Sequence, residues 1–186
     1  MPGERIFVNK LAYGLRVPFT GIWMADWSKP EAGEIVILFS PKDGTRLVKR
    51  VVAGPGDTLE LRNNRLYING SGAAYRALSS AELAEIEASR PLGWKGFEFA
   101  SEQLNGHSHA VMATPSRPAI RSVGPIVIPD GQYFVMGDNR DNSADSRYFG
   151  FVSREKIVGR SPAVVASLDP DRWYKPRWGR FFKGLD

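Results

Sequence analysis

The chain has 186 residues, of which 42% are apolar and 24% charged, and it carries a formal net charge of +5. This balance indicates a folded globular protein, either one domain or a core with a modest second lobe, and excludes a disordered chain. Because no cysteine is present, disulfides, thiol catalysis and cysteine-ligated zinc are excluded as well. The basic excess fits anionic lipid or nucleic acid, and alone it does not choose between them.

Short strands dominate the predicted secondary structure, because 13 prolines and 19 glycines divide the chain into short pieces. Asn63 and Asn64 predict a tight hairpin turn, since asparagine tolerates positive φ. Apolar or alternating runs predict strands at residues 6–8, 34–39, 46–53, 59–61, 66–68, 126–128 and 133–136. The last two are predicted to pair with each other through the turn at 129–131. The fold is therefore predicted to be mostly antiparallel β.

One helix is predicted within this pattern. Ser79 and Glu82 have the spacing of a capping box, and Leu83 and Ile86 share one helical face. Pro91 is predicted to end the helix.

Residues 94–122 show little periodicity, and we interpret them as a loosely ordered part of an inserted lobe. His107 and His109 are predicted to be surface residues there, since no carboxylate-rich partner motif supports a metal site. The longest apolar run, residues 35–39, is far shorter than the roughly 20 residues that a membrane-spanning helix needs.

The polar cluster at residues 137–147 is the most informative segment of the sequence, and it directly follows the predicted strand at 133–136. Its hydroxyl, carboxylate and guanidinium groups can satisfy one another's hydrogen bonds and hold one hydroxyl in a fixed place. The alternative is a solvated turn with local side-chain hydrogen bonds.

A calcium-binding loop is a third interpretation of this cluster. Asp141, Ser143 and Asp145 have the alternate spacing of calcium ligands. However, the sixth position is Ser146 where such loops need glycine, and the twelfth is Val152 where they need glutamate. This mismatch argues against calcium.

Two adjacent cations, Lys49 and Arg50, interrupt the β-branched run at 46–53. Because they point to opposite faces of a strand, one of them must be paired, lie at an edge or face the apolar side. A lysine in an apolar site loses the water that favours its charge, so its pKa falls and its neutral amine can accept a proton. The alternative is an edge-strand lysine that blocks aggregation.

These two segments together resemble the two most diagnostic motifs of bacterial type I signal peptidases, the serine–lysine peptidases of family S26. The motifs are residues 49–57, KRVVAGPGD, and residues 137–147, GDNRDNSADSR. Further matches occur in order at residues 3–14, 33–36, 66–70 and 150–152. The resemblance therefore extends from the first residue almost to the last.

The resemblance implies roles for individual residues. Lys49 is implied to be the general base that takes the proton from a nucleophilic serine, and Ser143 to bind the lysine amine and orient it. Four charged residues are implied to support the site, the last two as an ion pair: Asp138, Arg140, Asp145 and Arg147. The substrate is implied to lie as an added strand beside Leu47 and Val48.

The nucleophilic serine is the one departure from the family pattern. In the family it lies in a Ser-Met-x-Pro segment just before the residues that correspond to 3–4. The chain begins at Met1 and its first serine is Ser28, so we expect the nucleophile upstream of Met1 and the chain alone to be inactive. A trimmed chain explains this better than a pseudo-enzyme or a substitute serine, because Lys49 and the Ser143 loop are intact.

The expected fold is a coiled antiparallel β-sheet core at residues 1–57 and 125–186, with a smaller inserted lobe containing a short helix at 58–124. The expected activity is removal of signal peptides from preproteins after an Ala-x-Ala-like site, with no cofactor and no metal. The expected location is the bacterial cytoplasmic membrane, with the catalytic domain on its outer, periplasmic side. Expected partners are preprotein signal peptides and the membrane surface, and no nucleic acid is expected.

Two alternatives stay open: a catalytically dead relative that binds peptides, and a basic β-rich module that binds nucleic acid with steep salt dependence. The tail at 171–186 interleaves cations with aromatic residues: Trp173, Tyr174, Trp178, Phe181 and Phe182. This composition predicts that the tail, or the apolar rim near the active site, contacts a bilayer surface, and packing of the aromatic rings on the sheet is the alternative.

Overall fold

A computed structural model describes residues 3–16, 23–88, 96–169 and 173–185. Of the residues in regular secondary structure, most lie in short strands, as the sequence predicts. The strands are β1 (Glu4–Ile6), β2 (Gly14–Arg16), β3 (Trp23–Asp26), β4 (Ile35–Phe39), β5 (Arg46–Ala53), β6 (Thr58–Arg62), β7 (Arg65–Ile68), β8 (Ser71–Gly72), β9 (Ala74–Arg76), β10 (Glu98–Leu104), β11 (His107–Ala113), β12 (Val123–Val127), β13 (Gln132–Met136), β14 (Val152–Ser153), β15 (Ile157–Arg160), β16 (Val164–Asp169) and β17 (Lys175–Pro176). The helices are α1 (Ser80–Ala88), α2 (Ser146–Phe149) and single 3-10 turns at Arg140–Asn142, Arg154–Lys156 and Trp178–Arg180.

The strands of the first half of the chain lie close to where the sequence pattern places them. β4 to β7 coincide with four predicted runs, and β1 begins two residues before the run predicted at 6–8. Asn63 and Asn64 form the predicted turn between β6 and β7, with φ of 48° and 65°. Local pattern succeeds here because the two strands of this hairpin are neighbours in sequence.

Helix α1 begins with the predicted capping box. Ser79 Oγ accepts a hydrogen bond from the backbone N–H of Glu82 over 3.3 Å, and the Glu82 carboxylate accepts from the Ser79 N–H over 2.8 Å. Each residue thus satisfies an otherwise unpaired donor of the first turn. Pro91, predicted to end the helix, lies outside the described residues.

Five antiparallel strands in the order β14-β13-β5-β4-β15 form the central sheet. β4 pairs with β5 along its length, whereas β13 covers the other side only from Arg50 onward, where Met136 lies opposite. Within the described ranges, no strand pairs with that side of β5 at residues 46–49. Val51 and Val52 point to opposite faces and belong to two separate buried clusters, so the sheet is covered on both faces.

The hairpin predicted between 126–128 and 133–136 does not form. β12 pairs with β6, with Ile126 opposite Leu59, and β13 pairs with β5 and β14. Tyr133 through Met136 are all buried, so β13 is a central strand that gains more from two long-range partners than from its sequence neighbour. The Pro129-Asp130-Gly131 turn predicted the chain reversal correctly and could not predict which strand would be the partner.

An ordered hairpin of β10 and β11 occupies much of the region predicted to be loose at 94–122. The two strands pair without a break from Glu98 opposite Ala113 to Leu104 opposite His107, and β9 lies beside β10. The periodicity was hidden because inward-facing positions carry polar groups instead of apolar ones.

Glu102 and His109 are those inward-facing groups, and they lie directly opposite each other in the hairpin. Both are buried, so the surface position predicted for His109 is wrong. Each has a charged partner, which is how a protein interior accommodates such groups. His107, at the hairpin turn, is half-buried.

A second sheet, in the order β12-β6-β7-β8, adjoins the central one through the chain turn after β5. The division into a core at 1–57 and 125–186 and an inserted lobe at 58–124 stays a prediction. None of the helices formed by the described residues has the length and apolar character needed to cross a bilayer.

Candidate active site

The site is organised around Lys49, which lies on β5 one residue before β13 begins to pair with that strand. Its Nζ donates a hydrogen bond to Ser143 Oγ over 2.8 Å, within the usual range for hydrogen bonds between catalytic groups. Burial lowers the pKa of the Lys49 amine, because water that would favour the charged form is removed. The nearby carboxylate of Asp145 acts in the opposite direction, and Arg147 adds to the lowering.

The loop that carries Ser143 turns back on itself directly after β13. A 3-10 turn at Arg140–Asn142 reverses the chain, and α2 begins at Ser146 with Asp145 as its N-cap. The Ser146 hydroxyl accepts a hydrogen bond from the N–H of Val135 in β13 over 2.9 Å. This hydrogen bond fixes the loop to the strand. Ser143 therefore lies between the 3-10 turn and the start of α2, which is bound to β13.

Asp145 and Arg147 form an ion pair, the arrangement that the family resemblance implies. Both side chains are 0% exposed, and two parallel bonds of 2.8 and 2.7 Å join the guanidinium to the carboxylate. Asp145 also accepts from the backbone N–H of Gly137 over 3.1 Å. Arg147 donates further to the backbone oxygens of Ile120 and Arg140. The pair thus ties both ends of the loop together in a water-free position.

Asp138 pairs with Arg50, the second cation of β5. Arg50 donates to its two carboxylate oxygens over 2.9 and 3.0 Å, and also to the Gly33 carbonyl. Burial opposes the charge of Asp138, but the adjacent Arg50 outweighs it and lowers the pKa of this carboxyl. The sequence assigned Asp138 to the site and missed Arg50 as its partner.

The Arg140 side chain is 98% buried. Its guanidinium donates to Glu102 over 2.6 Å. Tyr75 donates its hydroxyl to the other oxygen of that carboxylate, and His109 Nε2 lies 3.1 Å from Glu102 and 3.9 Å from Asp138. The sequence did not predict Glu102, Tyr75 or His109 as part of the site. The signal for them in the sequence was one charged residue, Glu102, within the segment that forms β10.

Asp141 belongs to the same loop and is held by groups of the neighbouring segment. Arg121 donates to its carboxylate over 3.0 Å, Asn64 over 3.0 Å and the Thr114 N–H over 2.8 Å. Burial raises the pKa of Asp141, but these donors outweigh it and the net effect is a lowering. Because both Asp141 and Asp145 are occupied by guanidinium groups, the calcium interpretation of this loop is not supported.

Leu47 and Val48 lie on the half of β5 that, among the strands the structure describes, is paired only with β4. Val48 pairs with Ile37 and Leu47 with Leu38 of β4, and the Val48 side chain is 47% exposed. The backbone groups on the opposite edge face away from β4, toward the side where β13 has already ended. An extended peptide could add to this edge and would reach Lys49 at its end.

Comparison with known proteins places the chain in one family. The model for the signal peptidase family, peptidase S26, matches residues 1–166. The chain is 33% identical to signal peptidase I of Pseudomonas fluorescens and 34% identical to that of Pseudomonas aeruginosa. Each alignment covers 96% of this chain and 64% of the relative. The identity to signal peptidase I of Bacillus amyloliquefaciens is 35%, over 87% of this chain and 64% of that protein.

The chain thus spans less than two thirds of the length of these curated relatives. Among solved structures, a signal peptidase I from Enterococcus faecalis V583 is 33% identical. The match covers 72% of this chain and 97% of that one, with a TM-score of 0.42.

Proposed function

Because the chain belongs to the signal peptidase family, peptidase S26, we propose that it is the catalytic part of a serine endopeptidase that removes signal peptides from translocated preproteins. The observation that carries the proposal is the half-buried Lys49 amine at 2.8 Å from Ser143 Oγ, across 94 positions of sequence. A lysine held in this way, with its pKa lowered by burial, is better suited to act as a base than a fully hydrated lysine.

In the proposed reaction, neutral Lys49 takes the proton from a serine hydroxyl whose oxygen attacks the scissile carbonyl carbon. The tetrahedral intermediate collapses when the lysine ammonium returns that proton to the leaving amine, and an acyl-enzyme is left. Water, deprotonated by the same lysine, then attacks the ester carbon. The bond from the acyl carbon to the serine oxygen breaks, the lysine ammonium returns the proton to that oxygen, and the peptide leaves as a carboxylic acid. A serine hydroxyl is a weak nucleophile until such a base lies beside it.

Ser143 has the role of orienting the amine in this scheme. Among the described residues, its hydroxyl is the group to which Lys49 Nζ donates. We therefore propose that the attacking serine is a different one and lies outside the described residues, in a Ser-Met-x-Pro segment that precedes residues 3–4 as in the family. The 186-residue chain by itself is then expected to leave a preprotein uncut.

The substrate is proposed to lie as an extended strand along the free edge of β5, beside Leu47 and Val48. Backbone hydrogen bonds would hold it there whatever its sequence, and side-chain pockets would select small residues at the Ala-x-Ala-like cleavage site. The β4–β5 register supports this site, because it leaves the edge at 46–49 without a strand partner in the described part of the chain.

The proposed location is the outer, periplasmic side of the bacterial cytoplasmic membrane, in contact with the lipid surface. Supporting this, the C-terminal tail exposes four aromatic side chains: Trp173 (95%), Trp178 (75%), Phe182 (79%) and Tyr174 (64%). The alternative, that these rings pack on the sheet, fits only Phe181, which is half-buried with its ring 5.1 Å from that of Trp178. Exposed aromatic rings among cations are typical of membrane interfaces.

A preprotein-processing assay in detergent tests the function. The present chain is compared with an extended chain in which a Ser-Met-x-Pro segment precedes it. We expect cleavage only by the extended chain, and loss of that cleavage in Lys49→Met and in the variant with alanine at the added serine. The exposed Lys42→Met is the matched control and should cleave like the parent.

Two results would contradict the proposal. Cleavage by the present chain that disappears when another serine is replaced would show that the nucleophile is assigned wrongly. An extended chain that binds a signal peptide without cutting it would favour the catalytically dead, peptide-binding relative.

A further inference from the structure

The β10–β11 hairpin contacts the Ser143 loop at several points along its length, although its sequence suggested no order. The backbone N–H of Met112 donates to the Asp138 carbonyl over 2.8 Å, and the Thr114 N–H donates to the Asp141 carboxylate over 2.8 Å. The hairpin turn packs on Gly33 so closely that a Cβ there would lie 2.6 Å from the His107 ring. The hairpin therefore contacts the Ser143 loop near its second strand and the core residue Gly33 at its turn.

Glu102 is the buried charge in the middle of this hairpin. Its side chain is 0% exposed and receives the Arg140 guanidinium on one oxygen and the Tyr75 hydroxyl on the other. Burial opposes its ionisation, but His109, Arg140 and Tyr75 together lower the pKa of Glu102 to about 2. Glu102 is thus an anion at neutral pH, and Arg140 is the loop residue that it holds.

A short path joins Glu102 to Lys49. Arg140 is anchored by Glu102 at its guanidinium, and its backbone carbonyl accepts from Arg147 Nη2. Arg147 holds Asp145, which binds Gly137, and Ser143 lies on the same loop between Arg140 and Asp145. Each step is a charge-assisted or buried hydrogen bond, the kind that fixes a geometry most firmly.

We propose that Glu102 is a positioning residue that holds the Ser143 loop through Arg140, so that the β10–β11 hairpin clamps the catalytic loop. The proposal rests on the function proposed above, since it assigns Glu102 to the orientation of the Lys49–Ser143 pair. Glu102 does not touch the reacting groups, and its effect reaches them only through the loop.

The test follows the titration of Lys49 by NMR in the 186-residue chain labelled with ¹³C at lysine Cε, with Lys49→Met identifying the signal. In Glu102→Gln, which keeps the shape and removes the charge, Ser143 should loosen and water should reach Lys49. The Lys49 titration should then move up, toward that of an ordinary lysine. If the loop did not loosen, removing the Glu102 charge could only lower the pKa of Lys49, because a nearby anion stabilises the lysine ammonium.

Ser101→Ala is the matched control. Ser101 is buried one residue away on β10, and its hydroxyl pairs with Ser108 inside the hairpin instead of with the loop. This variant should leave the Lys49 titration unchanged, and Glu102→Asp, which retains the charge, should recover part of the parent value. In the extended chain, Glu102→Gln should lower kcat by about 100-fold with little change in KM, the scale for a misplaced catalytic group.

A folded Glu102→Gln whose Lys49 titration stays in place or moves down would overturn the proposal. Urea unfolding establishes that each variant is folded, and should Glu102→Gln not fold, Tyr75→Phe decides the question. It removes one donor to the same carboxylate and should produce a smaller upward shift, whereas no shift overturns the proposal. The titration does not depend on cleavage, so an extended chain that fails to cut would count against the proposed function and leave this result standing.

Discussion

A Cβ atom on Gly137 would lie 2.3 Å from Ser143 Oγ and 2.7 Å from Ser143 Cβ. Real side chains do not approach so closely, so glycine at this position allows the hydroxyl to lie against the end of β13. The same hypothetical atom would be 3.6 Å from Lys49 Nζ. The backbone of Gly137 therefore forms one wall of the space in which the lysine and the serine meet.

Gly137→Ala should displace Ser143 from the lysine. We expect about 100-fold lower kcat in the extended chain, because a shift of about 1 Å in a catalytic group has this scale. Overpacking should also lower the free energy of unfolding by about 1–3 kcal/mol. Gly54→Ala is the matched control, since its Cβ would meet Tyr133 at an ordinary 3.8 Å. Equal kinetics for the two variants would contradict the role given to Gly137.

Arg147→Ala should destabilise the fold by about 3–5 kcal/mol, because it leaves the carboxylate of Asp145 buried without its partner. Both side chains are fully buried and joined by two bonds, which sets this pair apart from surface ion pairs. Urea unfolding of the two proteins measures the difference. Arg62→Ala removes an exposed pair with Glu60 and should leave the unfolding curve nearly unchanged. If Arg147→Ala unfolds like the parent, the pair does not brace the loop.

Burial of Lys49 should make stability depend on pH in a defined direction. The pKa of Lys49 is below 10.5 in the folded chain because of desolvation, so the unfolded chain takes up the proton first as the pH falls from 10.5. Protonation therefore favours the unfolded state until the pH passes below the folded pKa, and the cost is constant at lower pH. Lys49→Met lacks this cost.

The stability advantage of Lys49→Met over the parent should thus grow from pH 10.5 toward neutral pH and then level off. Urea unfolding at closely spaced pH values measures it, and Lys42→Met reports the effect of losing an exposed lysine. A constant difference between Lys49→Met and the parent across this range would show that burial does not perturb Lys49.

The C-terminal tail should bind anionic vesicles at low salt. Burial of apolar side chains in the headgroup region and attraction between basic groups and anionic lipid would act together. Replacing Trp173, Tyr174 and Phe182 by serine should reduce co-sedimentation strongly without affecting stability, since all three rings are exposed. Replacing the exposed Trp27 by serine controls for the loss of any surface tryptophan. A parent chain that stays in the supernatant would exclude tail-driven binding.

The sequence by itself determined the features that depend on near neighbours. Alternation and turn residues were enough to predict β4 to β7 and the Asn63–Asn64 turn, because the pairing partners lie a few residues apart. The capping box of α1 is likewise local. The two motifs around Lys49 and Ser143 predicted a contact only through the family resemblance, which implied that these side chains meet, and the structure has them 2.8 Å apart.

Only the tertiary structure decided which distant strands pair and which charges are buried. β13 joined β5 instead of β12 because its four apolar side chains are satisfied at the centre of a sheet, and no local signal names that partner. Glu102 and His109 were hidden for a related reason. A charged residue in a strand predicts a solvent-exposed position. Glu102 is stable in the interior because it is paired with Arg140, which lies 38 residues away in the sequence.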